Sequence, residues 1–288
     1  MKNLLFPIMM LSLSLAASGC SQATFTAVNL PTRFHEMTVV QDVAYSPEPA
    51  CTLDIYVPAG AGHQPLDVIV FFYGGRWTEG KKHNYRFVGV AFTEQNFIVV
   101  VPDYRKYPRV RFPEFVEDGA KALAWVYDHI AEYHGNPERI HVAGHSSGAH
   151  IGALLTADAG YLANEGKDRS RVIRDFAGLA GPYAFAPDEP DLEDMFGPPS
   201  NYPNMQVTTF IDGRQPPMLL LYGDADRAVK VANLERLEQR IKEKGGRVET
   251  QIYPGAGHRD LAAALTWLNL RRTPVLRDMQ RFFRSSVR

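Results

Sequence analysis

Beyond residue 35 the chain alternates short apolar runs with longer stretches whose apolar positions recur at a helical spacing, and each change of period marks a change of element. The pattern predicts strands at Met37–Tyr45, Leu53–Val57, Asp67–Tyr73, Phe97–Pro102, Ile140–Ala143, Asp175–Leu179, Met218–Tyr222 and Val248–Tyr253. The central runs, Val68-Ile69-Val70-Phe71-Phe72 and Ile98-Val99-Val100-Val101, have no polar face, as expected of strands covered on both sides. Helical patterns fall between them at Phe115–Tyr133, Ala149–Ala157, Val229–Lys244, Asp260–Leu268 and Val275–Ser285. This alternation predicts an α/β fold with one mostly parallel sheet of about eight strands and helices on both faces. Ligands then gather at the carboxyl ends of the strands. One stretch breaks the rhythm: Pro182–Pro217, rich in Pro, Asp, Gly and Asn, reads as a loop insertion over those strand ends.

The first twenty residues have a different logic. Lys2 precedes an apolar run from Leu4 to Leu15, and Ala16-Ala17-Ser18-Gly19-Cys20 follows, which is the layout of an export signal. The run falls short of the roughly 20 apolar residues that span a bilayer. Its small residues ending in cysteine resemble a bacterial lipobox, which implies cleavage before Cys20 and lipid attachment to it, although Ala17 stands where leucine is usual. Simple secretion, with Cys20 discarded, is the alternative. The expected organisation is a lipoprotein-type signal over 1–19, a tether over 20–36 and a single catalytic domain over 37–288. The product is expected to be exported, anchored to the cell envelope and facing the periplasm.

Composition narrows the chemistry. With 31 basic and 32 acidic side chains, the 288 residues carry a formal charge of −1, so nothing electrostatic points to nucleic acid. Contact with a membrane is expected only through the anchor. The second cysteine, Cys51, precedes the alternating Thr52–Val57 and reads as a small packing residue. No cysteine or histidine cluster has metal-ligand spacing, so neither metal nor cofactor is expected.

The informative motif is Gly144-His145-Ser146-Ser147-Gly148. It follows the apolar Ile140-His141-Val142-Ala143 and precedes the helix-forming Ala149–Leu155, the strand-turn-helix setting of a nucleophile elbow with Ser146 at its tip. A serine hydroxyl needs an imidazole to take its proton, and the imidazole needs a carboxylate to orient it. In this fold both come later in the chain, acid first. The acidic turn Gly223-Asp224-Ala225-Asp226 follows the strand Leu219–Tyr222, and His258 ends the small-residue loop Pro254-Gly255-Ala256-Gly257. Spacing alone leaves Asp224 and Asp226 both open.

From about residue 50 to about 270 these motifs resemble the α/β-hydrolase superfamily. The resemblance is to its carboxylesterase branch, with kynurenine-formamidase-like, prenylcysteine-methylesterase-like and feruloyl-esterase-like members. The turn Gly223-Asp224-Ala225-Asp226 with Val229 is similar to that family's G-x-x-D phrase, which implies Asp226 as the orienting acid and leaves Asp224 as a turn residue. Tyr73-Gly74-Gly75-Arg76-Trp77 resembles the family's H-G-G-G-W oxyanion loop, with Tyr73 for histidine and Arg76 for the third glycine. Carried over by position, the oxyanion donors are the backbone NH groups of Gly75, Arg76 and Ser147, and the Arg76 side chain lines the pocket. Pro102-Asp103-Tyr104-Arg105 resembles a scaffolding phrase, with Asp103 and Arg105 as a structural charge pair. Trp77 and Phe185 are the candidate pocket walls.

The resemblance implies hydrolysis of a small-molecule carboxylic ester through a Ser-His-Asp triad and an acyl-enzyme. An amide or formamide hydrolase, or a peptidase, would use the same triad. A binding lipoprotein without catalysis would have no need of all three residues.

Overall fold

In the computed structural model, which describes residues 23–62 and 64–285, the apolar runs become strands sealed on both faces. Every residue of β4 (Ile98–Pro102), β6 (Asp175–Leu179) and β7 (Met218–Gly223) is buried. With β1 (Met37–Ala44), β2 (Thr52–Pro58), β3 (Leu66–Phe72), β5 (Gly135–His145) and β8 (Val248–Tyr253) they form one eight-stranded sheet in the order 1-2-4-3-5-6-7-8. The pairs β1–β2 and β2–β4 are antiparallel, and all the others are parallel.

Seven helices matter for the site: α1 (Arg86–Thr93), α2 (Glu114–His129), α3 (Ser147–Ala157), α4 (Pro190–Phe196), α5 (Ala232–Glu243), α6 (His258–Ala263) and α7 (Val275–Ser285). The step from β3 to β4 through α1 runs one way along the sheet, and the step from β5 to β6 through α3 runs the other way. Right-handed crossovers therefore put α1 and α3 on opposite faces. The packing agrees. Phe92 of α1 meets Phe283 of α7 at a ring-centroid distance of 6.4 Å, while Gly119 of α2 lies against Ile151 and Leu155 of α3. This is the α/β-hydrolase fold that the motifs imply.

Three elements depart from the sequence pattern. The helix α1 was not expected, because Phe87-Val88-Gly89-Val90-Ala91-Phe92 is apolar throughout and shows no stripe. Gly89 is the packing solution, since a Cβ there would stand 2.6 Å from Cγ of Tyr56. The insertion is not plain loop either: it contains α4 and further short turns at Pro199–Asn201, Tyr202–Met205 and Val207–Phe210. The helix α6 begins at His258 itself, two residues before the expected start.

Residues expected as tether are seated on the domain. Val28 is buried, and the Asn29 side chain donates to the carbonyl of Asn84 at 2.8 Å and accepts from the amide of Phe87 at 3.0 Å. The signal segment 1–19 and Cys20 lie outside the described residues.

Candidate active site

The strand β5 ends at His145, the helix α3 starts at Ser147, and the single residue between them turns the chain. Ser146 takes φ 55° and ψ −125°, a strained backbone that only a tightly determined turn retains. Two glycines permit it. A Cβ on Gly148 would fall 2.1 Å from the carbonyl oxygen of Phe72, and one on Gly144 would fall 2.6 Å from the backbone of Gly148. Strand and helix therefore touch at the backbone, and the serine hydroxyl stands clear at the tip.

Two loops from distant parts of the sequence reach that hydroxyl. His258 Nε2 lies 2.8 Å from Ser146 Oγ, and His258 Nδ1 lies 2.8 Å from Asp226 Oδ2. The Asp226 side chain is almost fully buried, and its other oxygen accepts the amides of Ala228 at 2.8 Å and Val229 at 2.9 Å. Burial by itself would raise the carboxyl pKa. The hydrogen bonds from His258 and the two amides outweigh it, together with the attraction of His258, and hold the group below the ordinary value. Asp224 points elsewhere, accepting the amide of Gly255 at 2.6 Å across to the next loop rather than within its own turn. The geometry thus brings Ser146, His258 and Asp226 together and leaves Asp224 out.

The Tyr73–Trp77 loop lies against the elbow: a Cβ on Gly74 would stand 3.0 Å from Cβ of Ser146. Among the described residues the amides of Gly75, Arg76 and Ser147 donate to no protein acceptor. Gly75, Arg76 and Trp77 all take positive φ, at 144°, 53° and 59°, which curls the loop. Aromatic hydroxyls hold it from behind. Tyr104 donates to the Tyr73 carbonyl at 2.8 Å and Tyr85 to the Gly74 carbonyl at 3.3 Å. The Tyr73 ring, in the place where the family has histidine, is stacked between Tyr85 and Tyr104 with centroids 5.1 and 4.9 Å away, and its hydroxyl donates to Asp103.

Other expectations need correction. The Arg76 guanidinium pairs with Glu189 at 2.8 Å and Asp191 at 3.0 Å, at the start of α4. Asp103 and Arg105 are not partners. Arg105 makes a two-pronged bond to the buried Asp118 of α2, at 2.8 Å on each prong, while Asp103 also accepts the amide of Lys82 at 2.9 Å. Trp77 and Phe185 do meet, as rings stacked at 5.8 Å. Trp77 is only 3% exposed, in an aromatic cluster with His150 and Phe196. Cys51 is buried, as a packing residue would be.

His145 escaped notice in the sequence, although it occupies the variable position of the elbow motif. It is buried, and its Nε2 lies 3.0 Å from the carbonyl oxygen of His258. Burial and then the charge of His258 push its pKa down to about 4. A neutral imidazole therefore donates from Nε2 to the backbone of His258 and fixes the loop that carries His258. Among the described residues no group of three or more His, Cys, Asp or Glu side chains is arranged to hold a metal.

Comparison with known proteins places this geometry. The model of the prolyl oligopeptidase family matches residues 116–286, and the BD-FAE model matches residues 53–176. A probable isoprenylcysteine alpha-carbonyl methylesterase, ICMEL1 of Arabidopsis thaliana, is 27% identical over 252 residues, covering 79% of this chain and 52% of its own. Esterase LipC of Mycobacterium tuberculosis is 28% identical over 240 residues, covering 75% of this chain and 58% of its own. The chain thus spans little more than half the length of these curated relatives. Among solved structures, a truncated carbohydrate esterase from gut microbiota superposes with a TM-score of 0.73 at 20% identity, covering 86% of this chain and 96% of its own. Thermogutta terrifontis esterase 2 does so with a TM-score of 0.71 at 23% identity, covering 87% and 94%. The elbow, the acid turn and the histidine loop all fall within the segment matched by the first family model, which takes in 171 of the 288 residues. On that match the chain belongs to the prolyl oligopeptidase family and has the α/β-hydrolase fold.

Proposed function

We propose that the protein is a serine hydrolase that cleaves carboxylic esters through Ser146, His258 and Asp226. The observation that carries this reading is the unbroken line from Asp226 Oδ2 through both nitrogens of His258 to Ser146 Oγ, each link 2.8 Å long. In the proposed reaction His258 Nε2 takes the hydroxyl proton as Oγ attacks the ester carbonyl. Asp226 holds the Nδ1–H tautomer and stabilises the imidazolium. The oxyanion settles on the amides of Gly75, Arg76 and Ser147, each such donor being worth about 3 kcal/mol in the transition state. His258 then passes its proton to the leaving alcohol, and water, activated by the same base, releases the acid from Ser146.

The test is Ser146→Ala on a short p-nitrophenyl ester. The expected loss in kcat is of order 10⁴ to 10⁶, since triad members act as a unit. Retention of more than about a tenth of the activity would exclude this mechanism. Labelling of Ser146 by a fluorophosphonate separates a hydrolase from a binding protein, because only an activated serine reacts.

The match to the prolyl oligopeptidase family favours a second reading, an amide or peptide bond as the substrate. The same triad serves both, and rates on a paired p-nitrophenyl ester and p-nitroanilide distinguish them. The names of the curated relatives, esterases and methylesterases, support the ester. We also propose that the enzyme is exported and anchored through Cys20, on the sequence of the first twenty residues. Radiolabelled palmitate incorporation that disappears in Cys20→Ala tests it.

A further inference from the structure

Among the described residues five large apolar side chains are exposed: Leu30, Phe34, Ile252, Trp267 and Leu270. Four of them lie on two segments, 23–34 and 266–270, that are bonded to each other. The indole Nε1 of Trp267 donates to the carbonyl of Val28 at 3.1 Å. Phe34 is 85% exposed and Leu270 87%, so each stands almost wholly in water. The first segment carries the exposed Arg33, and the exposed Arg271 and Arg272 directly follow the second. Exposed apolar side chains, a tryptophan and arginines together are the composition of a surface that settles into lipid headgroups.

We propose that this face docks on an anionic lipid bilayer. Two observations choose a bilayer over a protein partner. Arg33 and Arg272 complement anionic headgroups. The segment bearing Leu30 and Phe34 begins only three residues after Cys20, a reach of about 10 Å at full extension. A lipid on Cys20 therefore brings a bilayer within reach of the segment that carries Leu30 and Phe34. That second point rests on the anchored reading above; the patch itself does not.

The face also borders the site. Arg271 Nε bonds Asp260 Oδ2 at 2.8 Å, and the same oxygen accepts the amide of Gly257, the residue before His258, at 2.8 Å. On the other segment Phe25 packs on Tyr85 with ring centroids 5.4 Å apart, and Tyr85 holds the Gly74 carbonyl of the oxyanion loop. The two docking segments brace the two loops that receive the ester. The substrate class this arrangement favours is an amphipathic ester presented at the bilayer surface, an extension that rests on the proposed hydrolase activity.

The experiment uses the chain begun at Ser21, which contains every described element and carries no lipid. Flotation with vesicles of mixed phosphatidylethanolamine and phosphatidylglycerol should carry it upward. Phe34→Asp with Leu270→Asp should cut the bound fraction at least about tenfold. The double variant should keep its melting temperature and its turnover of a short soluble ester, and should lose turnover of a long-chain ester embedded in the vesicles. Failure of the parent to float, or equal flotation of the double variant, overturns the docking. So does a parent that sediments as a dimer which the double variant breaks, because a second copy then covers the face. Flotation needs no catalysis, so an inactive protein that floats overturns the hydrolase reading alone.

Discussion

Replacing Asp226 by asparagine tests both the choice of acid and the direction of the proton. Asp226 Oδ1 accepts two amides, at 2.8 and 2.9 Å, so the asparagine oxygen is held on that side; an NH₂ there would face two N–H groups. The NH₂ is then turned toward His258 Nδ1, where Oδ2 now lies at 2.8 Å, and donates to it. That forces the ring proton onto Nε2. Placed 2.8 Å from Ser146 Oγ, Nε2 then donates where it must accept, and the serine proton has no destination. A triad trapped in the wrong tautomer loses about 10⁴ in kcat, equivalent to about 5.5 kcal/mol. KM should stay near its parent value, because no binding contact changes. Asp224→Asn is the control. It puts at stake one bond, from Gly255 at 2.6 Å, for which asparagine keeps an acceptor oxygen, and kcat should move by less than about fivefold. Initial rates on a short p-nitrophenyl ester, corrected for folded enzyme by circular dichroism, provide the readout. A loss below about a hundredfold in Asp226→Asn, or a larger loss in Asp224→Asn, would refute the reasoning.

Gly148→Ala puts a methyl 2.1 Å from the Phe72 carbonyl, a backbone atom that cannot step aside, so urea unfolding should report a loss above about 3 kcal/mol or no soluble protein. Arg76→Ala keeps the oxyanion amide but removes the pairs with Glu189 and Asp191. These are partly exposed, so stability should change by under about 1 kcal/mol, while hydrogen exchange over residues 189–196 should speed up. His141 is buried against Asp175 at 2.9 Å with Asp67 beyond. Burial opposes its charge, but the two carboxylates prevail and raise its pKa from 6.5 to about 9. A raised pKa contributes stability in full below the unfolded value and loses it as pH rises through the folded one. Unfolding free energy should therefore fall by about 3 kcal/mol between pH 6.5 and just above 9, and His141→Gln should flatten that slope.

The centre of the sheet was legible because its strands are built on short apolar runs, and β4, Ile98–Pro102, is buried at every position. The same uniformity concealed α1. Phe87–Phe92 is as apolar as a strand, and what makes it a helix is a glycine against the ring of Tyr56, more than thirty residues earlier in the chain. The insertion was misread for a different reason. Its turn-forming composition is real, yet Pro190 at the first position of α4 and acidic residues in its first turn suit a helix start as well as a loop. Composition alone does not separate those two uses of proline.

The site divides along a similar line. Ser146 was readable because the elbow is a local device, in which glycines two positions to either side of the serine let strand meet helix. His258 followed from the order of partners in the chain. Residues whose role lies in a contact made far along the sequence were not readable, and Arg105 shows how near the signal came. Its charge announces a partner, and the nearest carboxylate in sequence, Asp103, is the wrong one. The right one carried its own mark. Asp118 lies three residues after Phe115 and four before Ala122, both buried, so a carboxylate sits on the stripe that α2 turns to the core. A buried carboxylate requires a cation or several donors. Arg105 supplies a guanidinium on both oxygens, and the amide of Arg105 adds a third bond at 3.0 Å. A charged residue on an apolar stripe is thus a demand that the rest of the chain must answer. Matching such demands, rather than neighbouring charges, would have drawn this pair from the sequence.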